Sequence, residues 1–344
     1  MNNILISSVG TRGYIVEHFK EAAKGQYGIY AADALKYAPA LKNADKAFVL
    51  PLASDKNYIK MLIKLCKENG VKAVFSINDV ELPWLASYKE ELLAQGINAV
   101  VCDKPIIDMC TDKYLTYEFC KTYGVNAPKT YLWTEKTQLL NDISKGLMEY
   151  PIVAKPRRGS KSIGIKILKN SDELLEDIDA ASKSNTPDEY KCMYQERLKG
   201  VLVAAHVLCN KKHEPVSIVT MKNLTEHFGE TYQNTTYRDP VLFDYVYNTV
   251  KHAGAYGIFD LNIMQRDNGE YVLLEFNPRI SGGYSLSHYA NPDFTQNLLN
   301  IAVGIDVQQK SDDIYKFDSI IMYKQYSTTW TSEDEINKSI QTYL

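Results

Sequence analysis

The stretch GIFDLNIMQRDNGEYVLLEFNPRISGG, residues 257–283, alternates apolar and polar positions along two runs that meet at Asn268-Gly269. An Asn-Gly pair between strand-like runs is a strong short-range hairpin signal, because both central residues of a two-residue type I′ turn need positive φ. With those two as the turn, 267 faces 270, Asn262 faces Glu275 and Asp260 faces Asn277. Facing residues share a side of the sheet, and side chains alternate with period two. One side then carries Phe259, Leu261, Ile263, Val272, Leu274 and Phe276, the expected core face. The other carries Asp260, Asn262, Glu275 and Asn277. Asp260 and Glu275 are diagonal neighbours there, with backbones about 7–8 Å apart. Two converging carboxylates with a neutral amide oxygen beside them suit Mg²⁺, which takes its remaining ligands from water and phosphate. A solvated polar face of an antiparallel sheet has the same pattern.

A partner for such a metal lies upstream, in PIVAKPRRGSKSIGI, residues 151–165. Lys155 ends an apolar strand at alternating spacing with Val153, so it points across a sheet, where a lysine is a natural phosphate ligand. Gly159 and Gly164 bracket Ser160, Lys161 and Ser162, a short loop whose N–H groups suit phosphate oxygens. The segment has neither the G-x-x-x-x-G-K-[ST] nor the G-x-G-x-x-G pattern. A tight turn with solvated cations is the plainer alternative.

The first hundred residues alternate short strands and helices (NILISSVG, GYIVEHFKEAAK, YGIYAAD, NYIKMLIKLCKENG, VKAVFSIN), which implies a parallel, doubly wound sheet. Its first turn, SSVGTRGYI, carries Gly10 and Gly13 without dinucleotide-binding spacing. TDKYLTYEFCKTYG then reads as a helix capped by Thr111 or Asp112 and ended by Gly124. A small α+β module follows to about residue 198, and mostly antiparallel strands after it. The expected organisation is an N-terminal α/β domain (1–110), a small lobe or lid (111–198) and a C-terminal lobe with the metal site (199–344). SEDEINKSIQTYL reads as a helix with Ser332 and Glu335 as a capping box, closing the last sheet or a dimer surface.

Composition narrows the function. The 344 residues carry a net charge of −3, with 45% hydrophobic and 24% charged residues, and a mean hydropathy of −0.29 and pI near 6.1. That is an ordinary globular composition without the broad basic stripe of a nucleic-acid binder. No apolar run reaches the roughly 18 residues of a membrane span, and no secretion signal is evident, so a cytoplasmic protein is expected. The six cysteines lack C-x-x-C pairs and neighbouring histidines, which suits reduced thiols in cores.

Taken in order, TDKYLTYEFCKTYGVNAP, PIVAKPRRGSKSIGI, YQERLKG, HFGETYQ and the opening stretch resemble the ATP-grasp superfamily, in particular the ATP-binding halves of the carbamoyl phosphate synthase large chain. The resemblance runs from about Asn3 to about Asp306. It implies an N-terminal pre-ATP-grasp domain and a two-lobed ATP-grasp fold. It implies that Lys113 and Lys155 reach the nucleotide phosphates, and that Gly159, Ser160, Ser162 and Gly164 belong to a loop closing over them. Backbone groups of Glu196 and Leu198 would hold the adenine. Asp260, Glu275 and Asn277 match the metal-binding positions, and Arg279 matches the arginine that holds the transferred phosphoryl group. One departure stands out: Leu202 occupies the position where the family usually has a ribose-binding glutamate, leaving Glu196 or His206 as substitutes.

The implied chemistry is activation of a small carboxylate as an acyl-phosphate and its capture by an amine, with ATP and Mg²⁺ (or Mn²⁺) as cofactors and no side-chain nucleophile. The substrates would be small molecules, an amino acid or small peptide among them. The acceptor pocket is expected near Arg238, Ser281, Gly282, Gly283, Ser285 and His288, and a homodimer is the expected assembly. Competing readings are a non-catalytic ATP-sensing module, which would lose metal ligands, and a carboxylate- or carbamate-phosphorylating enzyme of the same fold.

Overall fold

The computed structural model describes residues 2–159, 163–227, 230–308, 314–325 and 328–344. Its strands are β1 (Asn3–Ser7), β2 (Ile29–Asp33), β3 (Lys46–Val49), β4 (Val71–Ser76), β5 (Asn98–Ala99), β6 (Thr130–Leu132), β7 (Ile152–Pro156), β8 (Lys166–Leu168) and β9 (Cys192–Glu196). They continue as β10 (Val201–Cys209), β11 (Pro215–His227), β12 (Glu230–Thr236), β13 (Gly257–Gln265), β14 (Tyr271–Asn277), β15 (Ile321–Tyr323) and β16 (Ile340–Thr342). Three sheets result.

The first is parallel, in the order β16-β3-β2-β1-β4-β5. β1 and β2 are almost continuously apolar and buried because helices cover both faces, as expected for parallel strands. Strand order reverses at β1, so the crevice outside the carboxyl ends of β1 and β4 is the switch point where open α/β sheets take ligands. The C-terminal segment reads differently in the structure than in sequence. The helix Glu333–Ser339 is capped by the Ser332 hydroxyl, which accepts from the Glu335 N–H, but β16 then adds to β3 at the edge of the first sheet. β15 edges the last sheet instead, beside β12. Residues 340–342 therefore lie in the first sheet, not in the 199–344 lobe expected to hold them.

The second sheet, β6-β9-β7-β8, has its own small core of Tyr131, Leu139, Met148, Ile152, Ala154, Leu168, Leu174, Ile178 and Tyr194. The third, β14-β13-β10-β11-β12-β15, is antiparallel and shares one continuous core with the first sheet. The second sheet is thus the part with separate packing. Asp112 caps the helix Lys113–Tyr123 by accepting from the Tyr114 N–H, and Gly124 closes it at φ +66°.

The deciding hairpin has a longer turn than Asn268-Gly269 implies. The Arg266 N–H bonds the Glu270 carbonyl at 2.8 Å and the Gly269 N–H bonds the Arg266 carbonyl at 2.9 Å. The loop is therefore three residues, 267–269, with Gly269 alone at positive φ (+86°), a turn followed by a left-handed glycine. Pairing starts one residue out of the expected register, Gln265 to Tyr271 and Ile263 to Leu273. A bulge between Asn262 and Ile263 then restores it, and Asn262 faces Glu275 and Asp260 faces Asn277. Leu274, expected on the core face, is the residue the bulge leaves over and is only half-buried, while Leu273 beside it is fully buried.

The six cysteines are free thiols. Burial pushes Cys66 up to about 12 and Cys102 up to about 11.

Candidate active site

β10, β13 and β14 form the floor of the cleft. Asp260 is 5% exposed at the middle of β13, and its Oδ1 accepts no hydrogen bond. The nearest ionisable donor, His206 Nε2 on the facing strand, is 3.7 Å away. That histidine is held between the Ser287 hydroxyl (2.7 Å from Nδ1) and the Ser281 hydroxyl (2.8 Å from Nε2). Burial, with the Arg279 charge behind it, holds its pKa down to about 3, so it stays neutral. Burial pushes the Asp260 carboxyl up to about 7 against the pull of Arg279 and of the neighbouring Ser281 hydroxyl. A buried carboxylate oxygen with no donor is a costly arrangement for a fold to keep.

Glu275 Oε1 accepts from Asn262 Nδ2 at 2.8 Å, and Asn277 Oδ1 accepts from Arg279 Nη2 at 3.2 Å. Arg279 also makes a two-pronged pair with Asp79, at 2.6 and 2.8 Å. Asp79 was not anticipated from sequence. It sits just past the carboxyl end of β4, beside the switch point, and that position is the signal that could have found it. The first domain thereby sets the rotamer of the arginine in the cleft.

Opposite the carboxylates, Lys155 on β7 makes no hydrogen bond or ion pair with any described residue. Burial and, less, the Lys113 charge, opposed by Glu275, together lower its pKa to about 8. Lys113 Nζ donates to the Gly159 carbonyl at 2.7 Å, and burial lowers its pKa too, against Glu275, Asp112 and Asp79. Arg157 and Asp112 form a bidentate pair at 3.1 and 2.6 Å that fixes the start of the Lys113 helix against β7. Gly159 (φ +141°) and Gly164 (φ +78°) both occupy conformations that favour glycine. Ser160 and Ser162, expected in the same loop, lie outside the described residues.

The remaining candidates fall in different places. The Glu196 carboxylate is taken by Arg266 at 2.8 Å, and the Glu196 N–H by the Lys129 carbonyl at 2.9 Å. Leu198 lies in the stretch joining β9 to β10. Leu202 pairs with Met264 across β10 and β13, and both ring nitrogens of His206 are held by the Ser287 and Ser281 hydroxyls, so neither Glu196 nor His206 offers a free group for a ribose. Ser281 and Gly282 adjoin Arg279. A Cβ on Gly283 would lie 3.2 Å from Asn234 Nδ2, so that glycine is there for packing on the large sheet rather than to leave room. Arg238 donates to the Tyr315 carbonyl at 3.2 Å and to the Phe317 carbonyl, and stacks 4.2 Å over the Phe317 ring. Ser285 bonds His18, and His288 bonds Glu21 and Thr295. The structure does not bring Arg238, Ser285 or His288 together with the carboxylates.

Residues 110–283 match the family model for the ATP-grasp domain, just over half of the chain. The chain belongs to the ATP-grasp family. Residues 4–100 match the PylC-like N-terminal domain. The chain is 25% identical over 266 residues to the vancomycin/teicoplanin A-type resistance protein VanA of Enterococcus faecium, covering 71% of this chain and 75% of that protein. It is 24% identical over 291 residues to the carbamoyl-phosphate synthase of Methanobrevibacter smithii, covering 79% and 74%. An L-amino acid ligase from Bacillus licheniformis has the same fold, with TM-score 0.68, 17% identity and coverage of 98% and 85%.

ATP-grasp membership carries the cofactor pair ATP and Mg²⁺ and places the protein among the ATP-dependent carboxylate–amine ligases, which act on small-molecule acids and amines. The donor set fits that pair. Among the described residues Asp260 presents a buried oxygen without a hydrogen bond and Lys155 a half-buried ammonium without a partner, the groups a divalent metal and a phosphate would satisfy.

Proposed function

We propose that this ATP-grasp protein joins a small carboxylic acid, an amino acid or small peptide, to an amine through an acyl-phosphate, with release of ADP and phosphate. The observation that carries the reading is a floor with a buried carboxylate oxygen that accepts no hydrogen bond from the described residues, on Asp260, and Lys155 near its neighbour Glu275 with no hydrogen bond or ion pair to a described residue. Asp260, Glu275 and Asn277 would hold Mg²⁺, which supplies charge neutralisation on the phosphates. Lys155 and Lys113 bind phosphate oxygens, and because burial disfavours the Lys155 ammonium, an anion beside it would stabilise the charged form. Arg279, oriented by Asp79, holds the substrate carboxylate and then the group transferred to it. The Gly159–Gly164 segment, carried by a lid with its own core, closes over the phosphates and keeps water from the acyl-phosphate. The backbone carbonyl of Glu196 and the N–H of Leu198 hold the adenine. The acceptor lies at Ser281 and Gly282, next to Arg279. The name of the L-amino acid ligase supports an amino acid as one substrate.

We place the protein in the cytosol as a homodimer. Among the described residues no helix is long and apolar enough to cross a membrane. A panel of amino acids and small acids against amines, read by phosphate release and product mass, tests the proposal. Phosphate release that requires both an acid and an amine, with a product of their summed mass less water, is expected. Release that needs neither overturns it.

A further inference from the structure

Away from the ATP cleft, the helix Gly13–Ala23 of the first domain packs on the helix Tyr284–Ala290 of the large lobe, and three metal-capable side chains meet in the seam. His18 and Glu21 lie three residues apart on one helix face and meet His288 from the other helix. One ligand atom from each lies within 4.8 Å of those of the other two. His288 Nε2 is 3.0 Å from Glu21 Oε2, and its Nδ1 is 2.8 Å from the Thr295 hydroxyl. His18 Nε2 is 2.8 Å from the Ser285 hydroxyl. His18 is 5% exposed, and its Nδ1 is buried with no hydrogen-bond partner.

Each imidazole therefore has a hydroxyl on its far nitrogen, the arrangement that fixes a ligand's tautomer and leaves the near nitrogen's lone pair available. Burial, reinforced by His288 and opposed by Glu21, holds His18 down at about 4, so at neutral pH its ring is uncharged, as a ligand must be. Two imidazoles and one carboxylate are the donor set of zinc and its neighbours, and a poor one for Mg²⁺ or Ca²⁺.

We propose that His18, Glu21 and His288 bind a first-row transition-metal dication of the Zn²⁺ type, which ties the first domain to the large lobe. The ion takes the place of the proton shared by His288 Nε2 and Glu21, which leaves to solvent, and water fills the fourth position. In the structure the two rings are stacked, 4.3 Å between centroids and 13° apart. Coordination in both ring planes therefore turns one ring about χ2; His288 is the less buried of the two, and its turn re-aims the Nδ1–Thr295 hydrogen bond. The site is independent of the ATP-ligase reading, since none of its groups faces the carboxylates or Lys155.

The test is calorimetric titration of the full chain, stripped with chelator, by Zn²⁺ alone. Co²⁺ serves as a second probe whose visible absorption reports coordination number. One-to-one binding is expected, weakened about tenfold or more in each of Glu21→Gln and His288→Ala, with a four-coordinate Co²⁺ spectrum in the wild type that both variants lose. Circular dichroism checks that both variants are folded, which their partial exposure favours. No saturable one-to-one binding, or equal affinity in folded Glu21→Gln and His288→Ala, overturns the proposal.

Discussion

Glu81 and Asp260 are among the carboxyl groups that the fold buries almost completely, and the structure treats these two in opposite ways. Glu81, beside the carboxyl ends of β1 and β4, accepts hydroxyl hydrogen bonds from Ser7 (2.7 Å), Ser8 (2.8 Å), Ser76 (2.5 Å) and Tyr58. Asp260 has an oxygen that accepts nothing. Burial pushes both up to about 7, so the shift does not separate them. What separates them is satisfaction: four donors make Glu81 a strut of the first domain, while Asp260 is complete only when something else enters the cleft. Lys155 is the cationic counterpart of Asp260.

The comparison breaks most visibly at Asp260. Asp260→Asn is expected to lower kcat/KM by about 10³-fold, since it removes a metal ligand. Its melting temperature is expected to hold or rise, since no protein hydrogen bond to Oδ1 is lost. Lys155→Met is expected to cost about 10²-fold in kcat, again with the melting temperature held or raised, because a desolvated ammonium without a hydrogen-bond partner among the described residues goes. Glu81→Ala should do the reverse. Urea denaturation should show a loss of about 2 kcal/mol or more from orphaned hydroxyls and a cavity, while activity at a temperature where both proteins are folded stays unchanged.

The finest distinction is in pH. A carboxyl whose folded pKa lies above its unfolded one binds extra protons in the native state, so its contribution is full below the unfolded pKa, near 4.5, and declines as pH rises to about 7. Glu81→Gln does not titrate. The wild type should therefore lose stability relative to Glu81→Gln by at most roughly 1 kcal/mol per pH unit across that window, as read from urea midpoints at each pH.

Much of this was legible in the sequence, and the hairpin shows both how and where legibility stops. Alternation placed Asp260, Glu275 and Asn277 on one face because the period of two is a local property. The turn length is not local in that sense. Asn268-Gly269 implies a two-residue turn, but the strands close over three residues, and the bulge that leaves out Leu274 offsets that shift before the carboxylates are reached. The Asn262–Glu275 and Asp260–Asn277 pairings were thus anticipated through two departures that compensate. Lys155 was legible from its place at a strand end. Asp79, the capture of Arg238 by Tyr315 and Phe317, and the return of β16 to the first sheet were not. Each depends on contacts between segments far apart in the chain, for which periodicity carries no information.

The most direct measurement is calorimetric titration of MgATP into the wild type, Asp260→Asn and Glu81→Gln under identical conditions. The account predicts one-to-one binding by the wild type, a loss of about tenfold or more in Asp260→Asn, where a charged metal ligand is missing, and wild-type affinity in Glu81→Gln. Equal MgATP affinity in Asp260→Asn and the wild type would contradict it.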